Sequence, residues 1–320
     1  MTKKVLILGI TGQDGSYLAD LLVEKGYDVH GLIRRAATGN KVNILHLLDR
    51  ITLHKGDMGD TTSLYRIINE VDPDEIYNEA DQDHVSWSYD SVGYSCDITG
   101  AAVGRLLEIV RQINSSTKVF QPVSSNMFGL CDEPIQTEKT PFRPQSPYAA
   151  AKVMAYVMCQ YYRDVFGMFV STGILYNHES PRRSEEYVTR KITRGAAMIA
   201  SGKQDKLFLG DLTTEIDFGF AKEYMEAAWK ILQLEQPDDF IIATGEVHSL
   251  EEVVTTAFEI VGLDPTKYVD YDNALKRPGS TTILKGDASK AREHFDFRPK
   301  VHFKEIIKIM VDHDLELMRN

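Results

Sequence analysis

The chain has 320 residues, of which 43% are hydrophobic and 26% are charged, and its formal net charge is −11. This balance is typical of a folded globular protein, and the negative charge disfavours binding to a nucleic-acid backbone. The longest apolar runs, such as residues 5–8, are too short to span a bilayer, and because the first predicted strand begins early we expect no signal peptide. Three widely spaced cysteines predict neither a disulfide framework nor a metal site, so we expect a cytoplasmic protein without metal.

The first half of the chain alternates between apolar strands and amphipathic helices. We predict strands at 3–8, 27–33, 51–54, 75–78, 118–122 and 168–175, and helices at 16–25, 61–70, 98–111 and 148–166. Strands and helices that alternate with short connections indicate a doubly wound parallel sheet of the Rossmann type, with helices on both faces.

After residue 176 helices predominate and only short extended pieces separate them. The predicted helices are 188–201, 221–233, 250–261 and 304–315. We therefore expect a nucleotide-binding domain at 1–176 and a smaller mixed α/β lobe at 177–320 that mainly binds the substrate. This boundary does not separate the domain and the lobe strictly, because the extended segment 240–244 could form a further strand of the sheet in the first domain.

Three glycines lie between the first strand and the first helix. Without a Cβ, glycine lets a diphosphate approach the backbone, and the helix N-terminus offers N–H groups and the positive end of its dipole. This context predicts a dinucleotide loop, although its spacing is G-x-x-G-x-x-G. The predicted cofactor residues of the loop are Gly9, Thr11, Gly12, Gln13, Asp14 and Gly15.

Two arginines follow the second strand, where the adenosine ribose of a dinucleotide would lie. Arg34 and Arg35 could pair with a 2′-phosphate and so favour NADP slightly over NAD, or they could be solvated surface residues. Asp57, after the third strand, is a weaker candidate for a hydrogen bond to the adenine.

A tyrosine and a lysine stand one helical turn apart. Tyr148 and Lys152 lie at i and i+4 on one face of a predicted helix, so the ammonium can favour the phenolate and can also reach a cofactor ribose. Ser124 and Ser125 end the fifth strand, where a hydroxyl can bind the same substrate oxygen. Together these residues predict proton exchange with a sugar hydroxyl.

With these motifs the chain resembles the extended short-chain dehydrogenases and, within them, the GDP-mannose 4,6-dehydratases. The matching segments are 9–18 (GITGQDGSYL), 31–36 (GLIRRA), 145–152 (QSPYAAAK), 177–183 (NHESPRR), 188–192 (VTRKI), 243–246 (ATGE) and 276–278 (KRP). The NHESPRR segment is highly specific to that family.

The resemblance implies roles for individual residues. Ser124, Tyr148 and Lys152 correspond to the catalytic set, with Ser125 beside the substrate. The positions that would bind the GDP part of the substrate are Asn177, Val188, Lys191 and Arg277. The resemblance also implies a tightly held nicotinamide cofactor, a homodimer or homotetramer, and a role in capsule, polysaccharide or glycan precursor synthesis.

The chain departs from the family pattern at several positions. Asn126 stands where the family has a glutamate two residues after its catalytic hydroxyl, and an amide cannot act as a general acid or base. Asp81 and Asp83 stand where the family usually has small or serine residues; one of them could supply the missing carboxylate, or the loop could shape a different pocket. Ile216 replaces an arginine that would contact the diphosphate.

These observations favour NAD(P)-dependent oxidation at C4 of a GDP-linked manno-type sugar. The substrate would be GDP-mannose or a GDP-manno-heptose, and the enzyme a C4 dehydrogenase or epimerase that does not complete an elimination. The alternative is a GDP-mannose 4,6-dehydratase in which Asp81, Asp83 or a water replaces the glutamate. A third hypothesis is a non-catalytic nucleotide or redox sensor, against which the intact Ser-Tyr-Lys set argues.

Overall fold

The computed structural model describes residues 2–34, 40–272 and 283–319. Two of the predicted site residues, Arg35 and Arg277, lie outside the described residues. Within the ranges that are described, no helix is both long and apolar enough to cross a membrane.

The strands and helices follow each other closely along the chain. The strands are β1 (Lys4–Leu8), β2 (Asp28–Ile33), β3 (Thr52–Lys55), β4 (Glu75–Asn78), β5 (Lys118–Ser124), β6 (Val170–Leu175), β7 (Asn177–Glu179), β8 (Leu207–Leu209), β9 (Glu215–Phe220), β10 (Asp239–Ile242), β11 (Val247–Ser249) and β12 (Val269–Tyr271). The helices are α1 (Gln13–Glu24), α2 (Thr61–Val71), α3 (Val85–Asp90), α4 (Val92–Ser95), α5 (Ala102–Asn114), α6 (Pro147–Phe166), α7 (Val188–Ala200), α8 (Ala221–Leu232), α9 (Leu250–Ile260), α10 (Ser289–Phe295) and α11 (Phe303–Arg319).

Within the described ranges, seven parallel strands form the central sheet, in the order β10-β6-β5-β4-β1-β2-β3. An apolar core that includes α2, α5 and α6 covers one face, and a second core that includes α1 and α8 covers the other. Strands buried on both faces need continuous apolar sequence, which β1 has in Val5, Leu6, Ile7 and Leu8. The predicted doubly wound Rossmann-type sheet is confirmed.

The last strand of this sheet comes from the second half of the chain. β10 pairs in parallel with β6, with Ile242 opposite Leu175. A buried ion pair reinforces the junction, because Arg163 of α6 donates two hydrogen bonds, of 2.9 and 2.7 Å, to the Asp239 carboxylate. The division at residue 176 stays a prediction, and the central sheet includes at least this one strand from the second half of the chain.

The remaining residues form a second lobe of mixed α/β structure. Its strands form the set β11-β9-β7 and the pair β12-β8, and a third apolar core joins them to α7, α9 and α11. The sequence predicted the long helices here to within a few residues but left the short strands unresolved.

Candidate active site

A cleft of about 1200 Å³ opens at the carboxyl ends of the central strands. Residues of both lobes line it, because β6 runs directly into β7 of the second lobe. The predicted site residues that line the cleft are Gly9, Thr11, Gly12, Gln13, Asp14, Gly15, Arg34, Asp57, Ser124, Ser125, Asn126, Tyr148, Lys152, Asn177, Val188 and Lys191. The fold therefore brings the described part of the predicted site together in one place.

The glycine loop has the geometry that a diphosphate needs. Gly9 has a φ of +80°, and a Cβ there would lie 2.4 Å from the Glu79 carbonyl oxygen. At Gly12 a Cβ would have a single neighbour within 4 Å, at 3.4 Å, so it would project into the cleft. The helix begins at Gln13, earlier than predicted, and the first N–H groups of a helix have no intrahelical partner. These residues fit the diphosphate of a dinucleotide.

A buried ion pair joins this loop to the second lobe. His178 of β7 lies 2.9 Å from the Asp14 carboxylate through Nε2, and its Nδ1 lies 2.7 Å from the Tyr176 carbonyl oxygen. Burial is the largest single influence and would lower the pKa of His178, but the charge and hydrogen bond of Asp14, together with the Tyr176 carbonyl, raise that pKa overall. The sequence offered the NHESPRR segment but no sign that its histidine would reach the loop.

The side chains at the predicted adenosine end make local contacts. Arg34, directly after β2, donates a 2.7 Å hydrogen bond to the Tyr94 hydroxyl. Asp57 accepts a 2.8 Å hydrogen bond from the backbone N–H of Gly59 and so stabilises the turn after β3. Both side chains still border the cleft.

Tyr148 and Lys152 lie in the first turns of α6. The helix begins at Pro147 and is capped by Ser146, whose hydroxyl oxygen accepts a 3.1 Å hydrogen bond from the N–H of Ala149. The Lys152 ammonium is 5.7 Å from the Tyr148 ring centre. Burial raises the pKa of Tyr148 to about 12; the Lys152 charge opposes the rise and Asp81 adds to it.

Ser124 ends β5 beside the amide of Asn126. The Asn126 Nδ2 donates a 3.1 Å hydrogen bond to the Ser124 hydroxyl oxygen, and the Asn126 backbone N–H donates a second one at 3.2 Å. With both hydrogen bonds accepted at its oxygen, the serine hydroxyl keeps its proton to donate, and Tyr148 is its hydrogen-bond partner in the cleft. Asn126 can orient this hydroxyl, but it brings no group that exchanges protons at neutral pH.

Carboxylates of the loop after β4 surround the lysine. Asp81 Oδ2 lies 2.5 Å from Lys152 Nζ. Glu79 is close enough for Lys152 to influence it, and burial raises its pKa well above the usual range. Asp83 faces Tyr148 and Tyr187, and its charge raises the pKa of both phenols beyond what burial does. The sequence singled out Asp81 and Asp83 but not the pairing of Asp81 with Lys152.

The predicted GDP-binding residues lie on the second-lobe side of the cleft. Asn177 begins β7 and Val188 begins α7, while Lys191, one turn further on, donates a 2.8 Å hydrogen bond to the Phe208 carbonyl oxygen. Ile216 of β9 also lines the cleft.

Comparison with known proteins places this site in a family. The family model described as GDP-mannose 4,6 dehydratase matches residues 6–310. The chain is 46% identical over 329 residues to GDP-mannose 4,6 dehydratase 1 of Arabidopsis thaliana, covering 99% of this chain and 91% of the relative. It is 42% identical to the Homo sapiens GDP-mannose 4,6 dehydratase, covering 98% and 92%, and 41% identical to that of Vibrio cholerae, covering 99% and 95%.

Solved structures of lower sequence identity share the fold. A Thermus thermophilus UDP-glucose 4-epimerase in complex with NAD superposes with a TM-score of 0.86 at 24% identity, covering 97% of this chain and 98% of that one. RMD from Pseudomonas aeruginosa, in complex with NADPH, gives a TM-score of 0.83 at 18% identity, covering 99% and 100%. Because the family model and the relatives above 40% identity span nearly the whole chain, the chain belongs to the GDP-mannose 4,6-dehydratase family of NAD(P)-dependent nucleotide-sugar enzymes.

Proposed function

We propose that the chain oxidises C4 of a GDP-linked manno-type sugar, GDP-mannose or a GDP-manno-heptose, and acts as a C4 dehydrogenase or epimerase. The observation that carries this proposal is the grouping of Ser124, Tyr148 and Lys152 in the cleft with an amide, Asn126, against the serine. Three groups suffice to remove a proton from an alcohol, whereas an elimination needs a further acid–base group.

In the proposed reaction Ser124 donates a hydrogen bond to the C4 oxygen and orients the hydroxyl. Tyr148, as the phenolate, takes the hydroxyl proton, and the Lys152 ammonium stabilises the phenolate. A bound nicotinamide cofactor supplies the acceptor for the C4 hydride. The resulting 4-keto sugar either leaves, as in a dehydrogenase, or receives the hydride back on its other face, as in an epimerase.

The glycine loop would hold the diphosphate of the cofactor, and Lys152 would contact the adjacent ribose. The similar solved structures include complexes with NAD and with NADPH, which supports a nicotinamide cofactor. The position of Arg34 at the cleft after β2 favours NADP. The GDP part would lie against Asn177, Val188 and Lys191.

A second candidate function is complete 4,6-dehydration. The names of relatives at 40–47% identity support it more directly than they support the first candidate. The Asp81 and Asp83 carboxylates, which border the cleft beside Tyr148, could take the place of the glutamate. Membership of an enzyme family leaves the sensor hypothesis without support.

An incubation with product analysis tests these proposals. The purified protein is given GDP-mannose or a GDP-manno-heptose, and products are followed by mass and by absorbance of reduced nicotinamide. We expect either loss of two hydrogens with reduction of the cofactor, or conversion to the C4 epimer without a mass change. Loss of one water would contradict the first candidate and establish the second. The Tyr148→Phe variant should form no product, and lack of any reaction in the unaltered protein would overturn both.

We also propose self-association into a homodimer or homotetramer. Met154, Val157, Tyr161 and Val165 form an exposed apolar stripe along α6, which supports burial against a second copy. A monomer in light scattering would contradict this. The cytoplasmic location stays a prediction.

A further inference from the structure

The Lys152 ammonium is already bound by the protein. Its side chain is 4% exposed, and Nζ lies 2.5 Å from Asp81 Oδ2 and donates a 2.9 Å hydrogen bond to the Pro122 carbonyl oxygen. A primary ammonium has three donors, so two are used and one is left for the tyrosine or a cofactor ribose. Asp81 thus fixes both the position of the lysine and how much of its charge its neighbours experience.

Charged and titratable groups face Tyr148 from each neighbouring element. Lys152 lies one turn along the same helix, Asp81 and Asp83 lie on the loop after β4, Ser124 ends β5, and Tyr187 precedes α7. Asp14 adds negative charge near Asp81, and Glu79, whose pKa burial raises well above its usual range, lies beside Lys152. The Asp81 and Asp83 carboxylates oppose the Lys152 ammonium that would stabilise the Tyr148 phenolate.

We propose that Asp81 is a positioning residue that holds Lys152 in place and offsets part of its charge, so that Tyr148 accepts the sugar proton only at a higher pH than it otherwise would. The inference rests on the proposed function, since it assigns Tyr148 the role of base. Because Asp81 shares its ion pair with the lysine rather than with the tyrosine, it acts on the phenol through the field of the pair. The direction agrees with the raised pKa of Tyr148.

The test is the pH profile of hydride transfer from the GDP-sugar to bound cofactor in a single turnover. In Asp81→Asn we expect the rising limb of the rate–pH profile to move to a pH about one unit lower. At pH values below the limb of the unaltered protein, hydride transfer in the variant should then be about tenfold faster. Asp81→Glu keeps the carboxylate and should keep the limb in place. Asp83→Asn removes a neighbouring carboxylate without touching the ion pair, so it should move the limb less.

A merely structural role for Asp81 would change the height of the profile or the melting temperature but not the position of the limb. An unmoved limb in Asp81→Asn would therefore overturn the inference. If that variant melts at a lower temperature, Asp81→Ala provides a second uncharged side chain, and it should show the same acid shift.

A titration that needs no substrate separates this inference from the proposed function. Ultraviolet difference absorbance follows phenol ionisation, and subtraction of the same signal from Tyr148→Phe variants isolates Tyr148. Ionisation of Tyr148 at a lower pH in Asp81→Asn than in the unaltered protein supports the inference. If the unaltered protein nevertheless transfers no hydride, only the proposed function fails. The opposite outcome is also distinguishable. If the unaltered protein transfers hydride, but Asp81→Asn changes neither the pH of the rising limb nor the pH at which Tyr148 ionises, the proposed function stands and the inference is rejected.

Discussion

At the residue scale, the side chain at position 126 separates the two proposed functions, because it would decide whether an elimination can follow oxidation at C4. Asn126 donates its hydrogen bond to the Ser124 hydroxyl oxygen at 3.1 Å. A carboxylate in its place would instead accept the serine proton and could exchange a proton with the sugar. The difference between amide and carboxylate is therefore a difference in reaction course as well as in binding.

Asn126→Glu should convert the enzyme towards dehydration. We expect the fraction of product that has lost one water to rise at least about tenfold, because a positioned acid–base group typically contributes about 10²–10⁴-fold. Mass analysis of the product measures it. The matched control is Asn126→Gln, which lengthens the side chain by the same amount without a carboxylate. Equal product ratios in the two variants would show that the carboxylate is not the missing element.

The sequence predicts single residues well where neighbours in the chain define the site. Tyr148 and Lys152 are one helical turn apart, so the pattern alone places them on one face. The pairing of Asp81 with Lys152 depends instead on where the loop after β4 meets α6. The distance between the Asp81 carboxylate and the Lys152 ammonium cannot be read from the local pattern or the composition, because it is set by the folded sheet.

At the element scale, the junction between β1 and α1 depends on a glycine that no other residue can replace without strain. Gly9 has a φ of +80°, and its missing side chain leaves room for the backbone of Glu79 and Ala80. The positive φ and the close approach are separate demands. They can be separated experimentally, because Gly26 has the same φ of +80°, yet a Cβ at that position would meet no atom within 4 Å.

Gly9→Ala should lower the free energy of unfolding by about 2–4 kcal/mol, through both backbone strain and the clash with Glu79. Gly26→Ala, the control with strain alone, should lower it by about 1–2 kcal/mol. Urea denaturation measures both. Equal losses in the two variants would mean that the β1–α1 junction relaxes to accommodate the methyl group.

The long elements were predictable and the short ones were not. An apolar run marks β1, and the 3.6-residue period marks α2, because these elements bury whole faces. The predicted helix at 98–111 is instead π-helical over Cys96–Ala101 before α5 begins, where the chain packs against α6. Three-residue strands such as β7 and β11 exist because a distant strand, β9, pairs with each of them, and they are too short to carry a period.

At the scale of the whole molecule, one ion pair connects the glycine loop with the second lobe. His178 and Asp14 are both largely buried, with side chains 10% and 21% exposed. Burial would raise the pKa of Asp14, but the charge and hydrogen bond of His178, with Arg183 and Gln13, together lower it, and the pKa of His178 is raised. The pair is fully charged below the ordinary histidine pKa near 6.5, and its contribution to stability is lost as the pH rises through the raised value.

His178→Gln should therefore destabilise the protein most near pH 6 and progressively less towards pH 9. Each unit by which the folded pKa exceeds the unfolded one corresponds to about 1.4 kcal/mol. Urea denaturation across this range measures the difference. His46→Gln breaks a similar pair with Asp20, but that histidine is 52% exposed, so little change is expected at any pH. If His178→Gln lowers the free energy of unfolding by the same amount at every pH, the two side chains stabilise the protein by packing and not by their charges.

The return of β10 to the central sheet also constrains how the protein is made. As the chain leaves the ribosome, the strands β1 to β6 are complete after about 175 residues, yet the outer edge of β6 has no partner until Ile242 has been synthesised. During that interval a strand that is buried throughout in the folded protein exposes unpaired backbone groups, which is the arrangement that favours association with other chains. Prompt pairing of β10 with β6 is thus part of a productive folding route, and slow synthesis between residues 176 and 242 would prolong the vulnerable stage.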